Sequence, residues 1–426
     1  MKKGTGASYK QGRITAKGGA AARSGRPPAE GERKALRKRV VLSNTNALEV
    51  QGLEDLSAKN AAEESSCGQV LGLPNEAVDA LRAVRAFKPT QGWSLFRRPS
   101  TLMTRHTHKL AKAIAAVESN KSTSRLILTG EKGSGKSVLQ LQALATAFLR
   151  GFVIIHIPEA QELTIGHTSY TPSSTPPASG ATLYDQPHYT ATLLSNIAKA
   201  NATLLSTLKV ETTHDLPIPL QSNISLSRLA ALGASDPEIA PAIYAALWTE
   251  LLLPNRPPIL YALDSLPHAM TTSAYLDAAA TPIHAHDLSL IAHFVSFLRG
   301  DRALPNGGLV VAADSRSNRP PVPTLEHVLA SSSSRAAGKQ ADYKAALDAR
   351  SPYHALDDRV VDALRDVEVV TLAGLSKDEC RAVMEYYARS GMLRQRVDDR
   401  LVGEKWTLAG GGIVGEVERG SVVMRV

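Results

Sequence analysis

The chain has 426 residues, 43% hydrophobic and 21% charged, and a net charge of +9. That is ordinary for a folded protein with a large core and more than one structural unit, and no apolar run approaches the roughly 18 residues of a membrane span. The two cysteines, Cys67 and Cys380, lie far apart without a C-x-x-C partner, which argues against a disulfide framework or a zinc ribbon and leaves a reducing compartment as the default.

The charge is concentrated at the front. Residues 1–40 hold 12 Lys and Arg against Glu30 and Glu32, whereas the rest of the chain holds 37 basic and 38 acidic residues. This segment is rich in Gly, Ala and basic residues and has almost no large apolar ones, so it cannot fold by burying surface of its own. Three readings stand side by side: a solvated disordered terminus, a mitochondrial targeting segment, and an arm lying along nucleic-acid phosphates. Residues 41–120 are expected to form an extension with helices packed on the core. NEAVDALRAVRAF and TRHTHKLAKAIAAVES carry helical spacing. Between them, QGWSLFRRPSTLM sets Trp93 and Phe96 beside Arg97 and Arg98. Such a pair suits base stacking, but more often docks a loop onto the core, and docking is the favoured reading. The histidine pairs His106/His108 and His284/His286 lack further ligands at metal spacing and read as surface or helix-capping residues.

Residues 126–140, LILTGEKGSGKSVLQ, read as a strand, a glycine-rich turn and the start of a helix. Gly130 to Ser137 match G-x-x-x-x-G-K-[ST] without a gap. The glycines permit a turn whose backbone N–H groups point inward as a nest for phosphate oxygens, and the helix start adds its positive end. Lys136 is expected on the β/γ oxygens and the Ser137 hydroxyl on Mg²⁺. The contact set expected for a nucleotide is Gly130, Lys132, Gly133, Ser134, Gly135, Lys136, Ser137 and Val138.

Further strands follow at FVIIHI (152–157), ILYAL (259–263), GGLVVAADS (307–315) and VEVVTL (367–372). Asp264 ends the third and is the expected second metal ligand beside Ser137. With helical patterns between them, the five strands predict an α/β fold: a parallel five-stranded sheet covered on both faces, with the ligand at the carboxyl ends of the strands. The core domain is expected over 121–372, interrupted by insertions at about 165–255 and 315–356, the second read as a loop around SSSSRAAGKQ. Residues 373–426 are expected to be a helical lid and tail, opened by an S-x-x-E capping box at Ser376 and Glu379.

This order of pieces resembles the additional-strand P-loop NTPase class that includes AAA+ and STAND ATPases. The words LTGEKGSGKS, GFVIIHIPEA and YDQP are narrower, and resemble the death-associated protein 3 family of mitochondrial small-subunit ribosomal proteins, over about residues 85–390. The resemblance implies a guanine nucleotide (GTP or GDP, with ATP as the alternative) and Mg²⁺ at the glycine loop. It also implies a place in the mitochondrial ribosome of the matrix, near the subunit interface, among neighbouring ribosomal proteins and as a monomer within that assembly. It further implies rRNA as the partner of the basic arm. No N-K-x-D guanine-reading word is present.

Hydrolysis needs a group to orient the attacking water. In AAA+ enzymes an acid usually follows the metal aspartate; here that position is Ser265. Glu159, just after the second strand, is the substitute catalytic candidate, with a helix-end charge as its equal alternative. Asp314 would repel a γ-phosphate unless a cation intervenes. The sequence therefore leans towards holding a nucleotide with little or no turnover. The alternative is an active AAA+/STAND-type ATPase acting on nucleic acid or protein.

Overall fold

In the computed structural model the described residues are 40–173, 182–221, 223–317, 319–336 and 356–423. Of the expected basic arm, 1–40, all but the last residue lies outside them. The five expected strands are present: β1 (Thr123–Gly130), β2 (Val153–Ile157), β3 (Ile259–Asp264), β4 (Gly308–Ala313) and β5 (Glu368–Leu372). They form one parallel sheet in the order β5-β1-β4-β3-β2, so β4 is inserted between the glycine-loop strand and the strand ending in Asp264.

The sheet is a divider between two cores, because alternate side chains of each strand point to opposite faces. Ile127, Val153, Ile155, Ile157, Tyr261 and Leu263 join one core, while Leu126, Leu128, Ile154, Leu260, Ala262 and Val311 join the other. Helices α1 (Asn75–Ala83), α2 (Arg105–Asn120) and α3 (Lys136–Leu149) contribute their apolar stripes to the second core. Helices α4 (Pro187–Ala200), α5 (Leu226–Ser235), α6 (Ala240–Leu251) and α7 (Ser289–Arg299) cover the first. Helices α1 and α2, ahead of β1, thus pack on the core, and the insertion between β2 and β3 supplies most of one helical layer.

Strand β2 is at the edge of the sheet yet wholly buried. At Ile154 its outward backbone is met by a side chain. Asn201 accepts from the Ile154 N–H at 2.8 Å and donates to the Ile154 carbonyl at 2.9 Å. A primary amide offers the same donor and acceptor as a peptide group, so at Ile154 Asn201 stands in for a neighbouring strand.

Two other expectations meet the structure. Residues 315–356 were expected as a loop, but Pro323–Ala336 is a helix that includes Ser331 to Ser334. Val322, Leu325 and Val328 are buried at three-residue spacing, and that stripe, rather than the helix-neutral serines, decides the conformation. Residues 337–355 lie outside the described ones. The loop bearing Trp93 and Phe96 docks as favoured: both rings are buried, and Phe96 stacks on Tyr387 with centroids 5.3 Å apart. Tyr387 belongs to α8 (Lys377–Arg389), whose N-terminus carries the expected Ser376/Glu379 capping box. Helices α9 (Asp399–Leu408) and α10 (Val414–Glu418) follow and build a third apolar cluster with α8. Of the histidines, His284 caps as expected, accepting from the His286 N–H at 3.1 Å, whereas His108 is neither surface nor cap: both of its ring nitrogens are buried without a hydrogen-bond partner among the described residues.

The edge closure is testable. Asn201→Leu fills the space but leaves the buried Ile154 N–H and C=O unpaired, which should cost about 2–5 kcal/mol of stability. Urea denaturation of the two proteins measures it, and a loss within roughly 0.5 kcal/mol, the range of ordinary surface changes, would show that Asn201 does not carry the edge.

Candidate functional site

The sheet register sets the site. Ala313 lies between Leu128 and Asp264, Ile157 beside Leu263, and Leu372 beside Gly130. Residues that leave β1, β2, β3 and β4 therefore emerge along one edge: the glycine loop, Pro158-Glu159, Asp264-Ser265 and Asp314.

The glycine loop runs from β1 into α3. Gly133 and Gly135 have φ of +80° and +93°, which side-chain-bearing residues rarely adopt. Lys136 is buried to 7% exposure, and its Nζ donates to the carbonyls of Gly130 at 2.9 Å and Glu131 at 2.7 Å. Burial lowers its pKa, opposed by attraction to Asp314. The Ser134 hydroxyl is buried with no hydrogen-bond partner among the described residues. Ser137 Oγ donates to Asp264 Oδ2 at 2.9 Å. Lys132 is exposed at the loop's outer turn, and Val138 is half-buried in the first turn of α3. A buried hydroxyl in want of a partner, a lysine against the loop and a glycine turn whose backbone N–H groups can donate inward fit a polyphosphate, whose oxygens accept. Ser137 and Asp264 are the residue types that would hold Mg²⁺ together with phosphate and water, with the Lys88 ammonium already 2.7 Å from the same Asp264 oxygen. Among the described residues no three His, Cys, Asp or Glu side chains are grouped to hold a metal on their own.

The acids differ in setting. Asp264, 2% exposed, accepts from Ser137, from the Ser265 N–H at 2.7 Å and from Lys88 Nζ at 2.7 Å. Asp314, 1% exposed, accepts from Thr129 Oγ1 at 3.1 Å and has the guanidinium groups of Arg316 and Arg319 each 3.9 Å away. These guanidinium groups would offset the repulsion between Asp314 and an approaching phosphate. Glu159 is half-exposed at the N-terminal end of the short helix Ala160–Thr164. It makes no capping hydrogen bond and lies 3.9 Å from Lys88 Nζ.

Three features escaped the sequence reading. Lys88 arrives from the extension, Arg319 from the insertion after β4, and the third is the segment Ile413–Val414–Gly415. The Gly415 N–H donates to the Gly133 carbonyl at 2.9 Å. A Cβ at Gly133 would stand 3.3 Å from Ile413 Cγ2, and one at Gly135 3.1 Å from Val414 Cγ1. The C-terminal lid thus rests on the glycine loop itself. The run Gly410-Gly411-Gly412 was its one visible sign, since a glycine triplet after a helical pattern marks a tight reversal.

Comparison with known proteins places this architecture. The family model for mitochondrial ribosomal death-associated protein 3 matches residues 101–420. The chain is 44% identical over 405 residues to the small ribosomal subunit protein mS29 of Neurospora crassa, covering 94% of this chain and 84% of that one. It is 23% identical over 375 residues to the protein of the same name from Schizosaccharomyces pombe, covering 86% and 74%. The chain belongs to the mitochondrial ribosomal death-associated protein 3 family.

Proposed function

We propose that this protein is a structural component of the small subunit of the mitochondrial ribosome, in the matrix, that holds a guanine nucleotide and Mg²⁺ at its glycine loop and turns it over slowly or not at all. The ribosomal part rests on family membership. The observation that carries the nucleotide part is the buried, unpartnered Ser134 hydroxyl inside a G-x-x-x-x-G-K-S turn, with Lys136 and the Ser137–Asp264 pair beside it. The strand order, with β4 between β1 and β3, supports an additional-strand P-loop class. The base is assigned as guanine from the family resemblance, with ATP as the alternative.

Bound phosphate would take the loop N–H groups, the Ser134 hydroxyl and the Lys136 ammonium. Mg²⁺ would supply charge neutralisation between Ser137, Asp264 and the phosphates. A bound nucleotide would then stabilise the domain by mass action. The residue after Asp264 argues against turnover. Ser265 is no base, and its backbone, at φ +65°, donates its N–H back to Asp264. The basic residues 1–40 supply the charge for rRNA, and neighbouring ribosomal proteins complete the surroundings.

The decisive measurement is the mass and stoichiometry of nucleotide released from the purified, denatured protein. Lys136→Ala removes charge-assisted hydrogen bonds worth roughly 1.5–3 kcal/mol each, so retention should fall at least about tenfold; full stoichiometry in this variant would refute the site. In a single-turnover assay the protein should run far below the roughly 1 per second common to enzymes, because a positioned base is typically worth ~10²–10⁴-fold. Turnover near that rate would favour the ATPase alternative. Deleting residues 1–40 brings the net charge from +9 to near zero. In a salt titration of binding to a small-subunit rRNA transcript, the deletion should give a shallower dependence of log affinity on log salt. An unchanged slope would return the segment to a disordered or targeting role.

A further inference from the structure

Segment 84–93, between α1 and β1, is clamped against the carboxyl end of β2 at three points. The Val84 carbonyl meets the buried His156 Nδ1 at 3.0 Å. Arg85 forms a two-pronged pair with Glu162, both contacts at 2.9 Å. The Lys88 ammonium donates to the Pro158 carbonyl at 2.8 Å, and the Lys88 N–H donates to Gln91 Oε1 at 2.9 Å. Phe87 packs edge-on against Trp93, both buried. A long, flexible lysine is thereby held with only 16% of its side chain exposed.

What it is held against is the candidate metal ligand. Lys88 Nζ is 2.7 Å from Asp264 Oδ2, the same oxygen that accepts from Ser137. It is also 3.9 Å from Glu159. An ammonium here neutralises the carboxylate that a divalent cation would otherwise pair with, and a second positive charge a few ångströms away is repelled. It likewise draws on Glu159, the acid nearest to a role in activating water.

We propose that Lys88 is a resident counter-cation of the phosphate site: it takes over part of the magnesium ion's role, so that a nucleoside di- or triphosphate is held with little dependence on Mg²⁺. This rests on the reading of the glycine loop as a nucleotide site. The charge is contributed by the chain, permanently and without a coordination sphere. It attracts phosphate oxygens as Mg²⁺ does, but it neither bridges two phosphate groups nor binds water for attack. Retention and turnover are separated by this arrangement, since binding needs positive charge while hydrolysis needs the metal's geometry and a free acid.

The test is the affinity of the full chain for mant-GDP and mant-ADP with saturating Mg²⁺ and again with EDTA, in wild type, Lys88→Met, Lys88→Gln and Lys88→Arg. The wild-type affinity for the better-bound probe should change by less than about threefold on removing Mg²⁺. In Lys88→Met and Lys88→Gln the ratio should grow to at least about tenfold, as expected for losing a full charge at contact distance, and Lys88→Arg should keep the wild-type ratio. A wild-type loss above about tenfold in EDTA overturns the proposal without any variant having to fold, and equal ratios in wild type and Lys88→Gln overturn it too. Both outcomes leave nucleotide binding intact. Wild type that has been stripped of co-purified nucleotide and binds neither probe in either condition overturns the nucleotide reading itself, and this inference with it.

Discussion

The site is organised around one of its two buried carboxylates, the one that joins three separate parts of the chain. Asp264 sits at the end of β3, with almost none of its surface in water. An isolated carboxylate there would be very costly, so its oxygens must be met by donors and cations. Ser137 reaches it from the start of α3, the Ser265 N–H from its own turn, and Lys88 from the extension before β1. Each contact constrains a different part of the chain. The first fixes the glycine loop to β3 across the intervening β4. The second bends the chain sharply after β3. The third ties residues 84–93 to the sheet edge.

Seen from that carboxylate, the two ends of the described chain serve one purpose. The extension before β1 brings a cation to Asp264. The segment after α9 rests on the glycine loop, with the Gly415 N–H on the Gly133 carbonyl. Phe96 of the extension stacks on Tyr387 of α8, so the two coverings also meet each other through an aromatic contact. Elements this well tied down part slowly, because their opening requires packed apolar surface to separate.

Much of the fold was legible in the sequence because it is locally written. Short apolar runs such as FVIIHI and GLVVAA must be strands buried on both faces, and the helical spacing between them makes the connections crossovers. The capping box at Ser376 and Glu379 and the G-x-x-x-x-G-K-S turn depend on neighbours within a few residues, so they were recognisable at sight. Where local signals conflicted, the reading failed. Ser331 to Ser334 suggested a loop, but the stripe of Val322, Leu325 and Val328 finds a core to cover and holds the helix.

The sequence by itself determined that five parallel strands carry a phosphate-type turn, that an aspartate stands at the end of β3, and that the basic charge is gathered before residue 41. Which cations answer the buried acids was decided only in three dimensions. Lys88 in AFKPT and Arg319 after β4 belong to no motif, and their partners lie far along the chain. A hydrogen-bonded turn is specified by backbone angles that a few residues encode, whereas an ion pair between distant segments exists only once strand order, register and loop path have brought its two charges together.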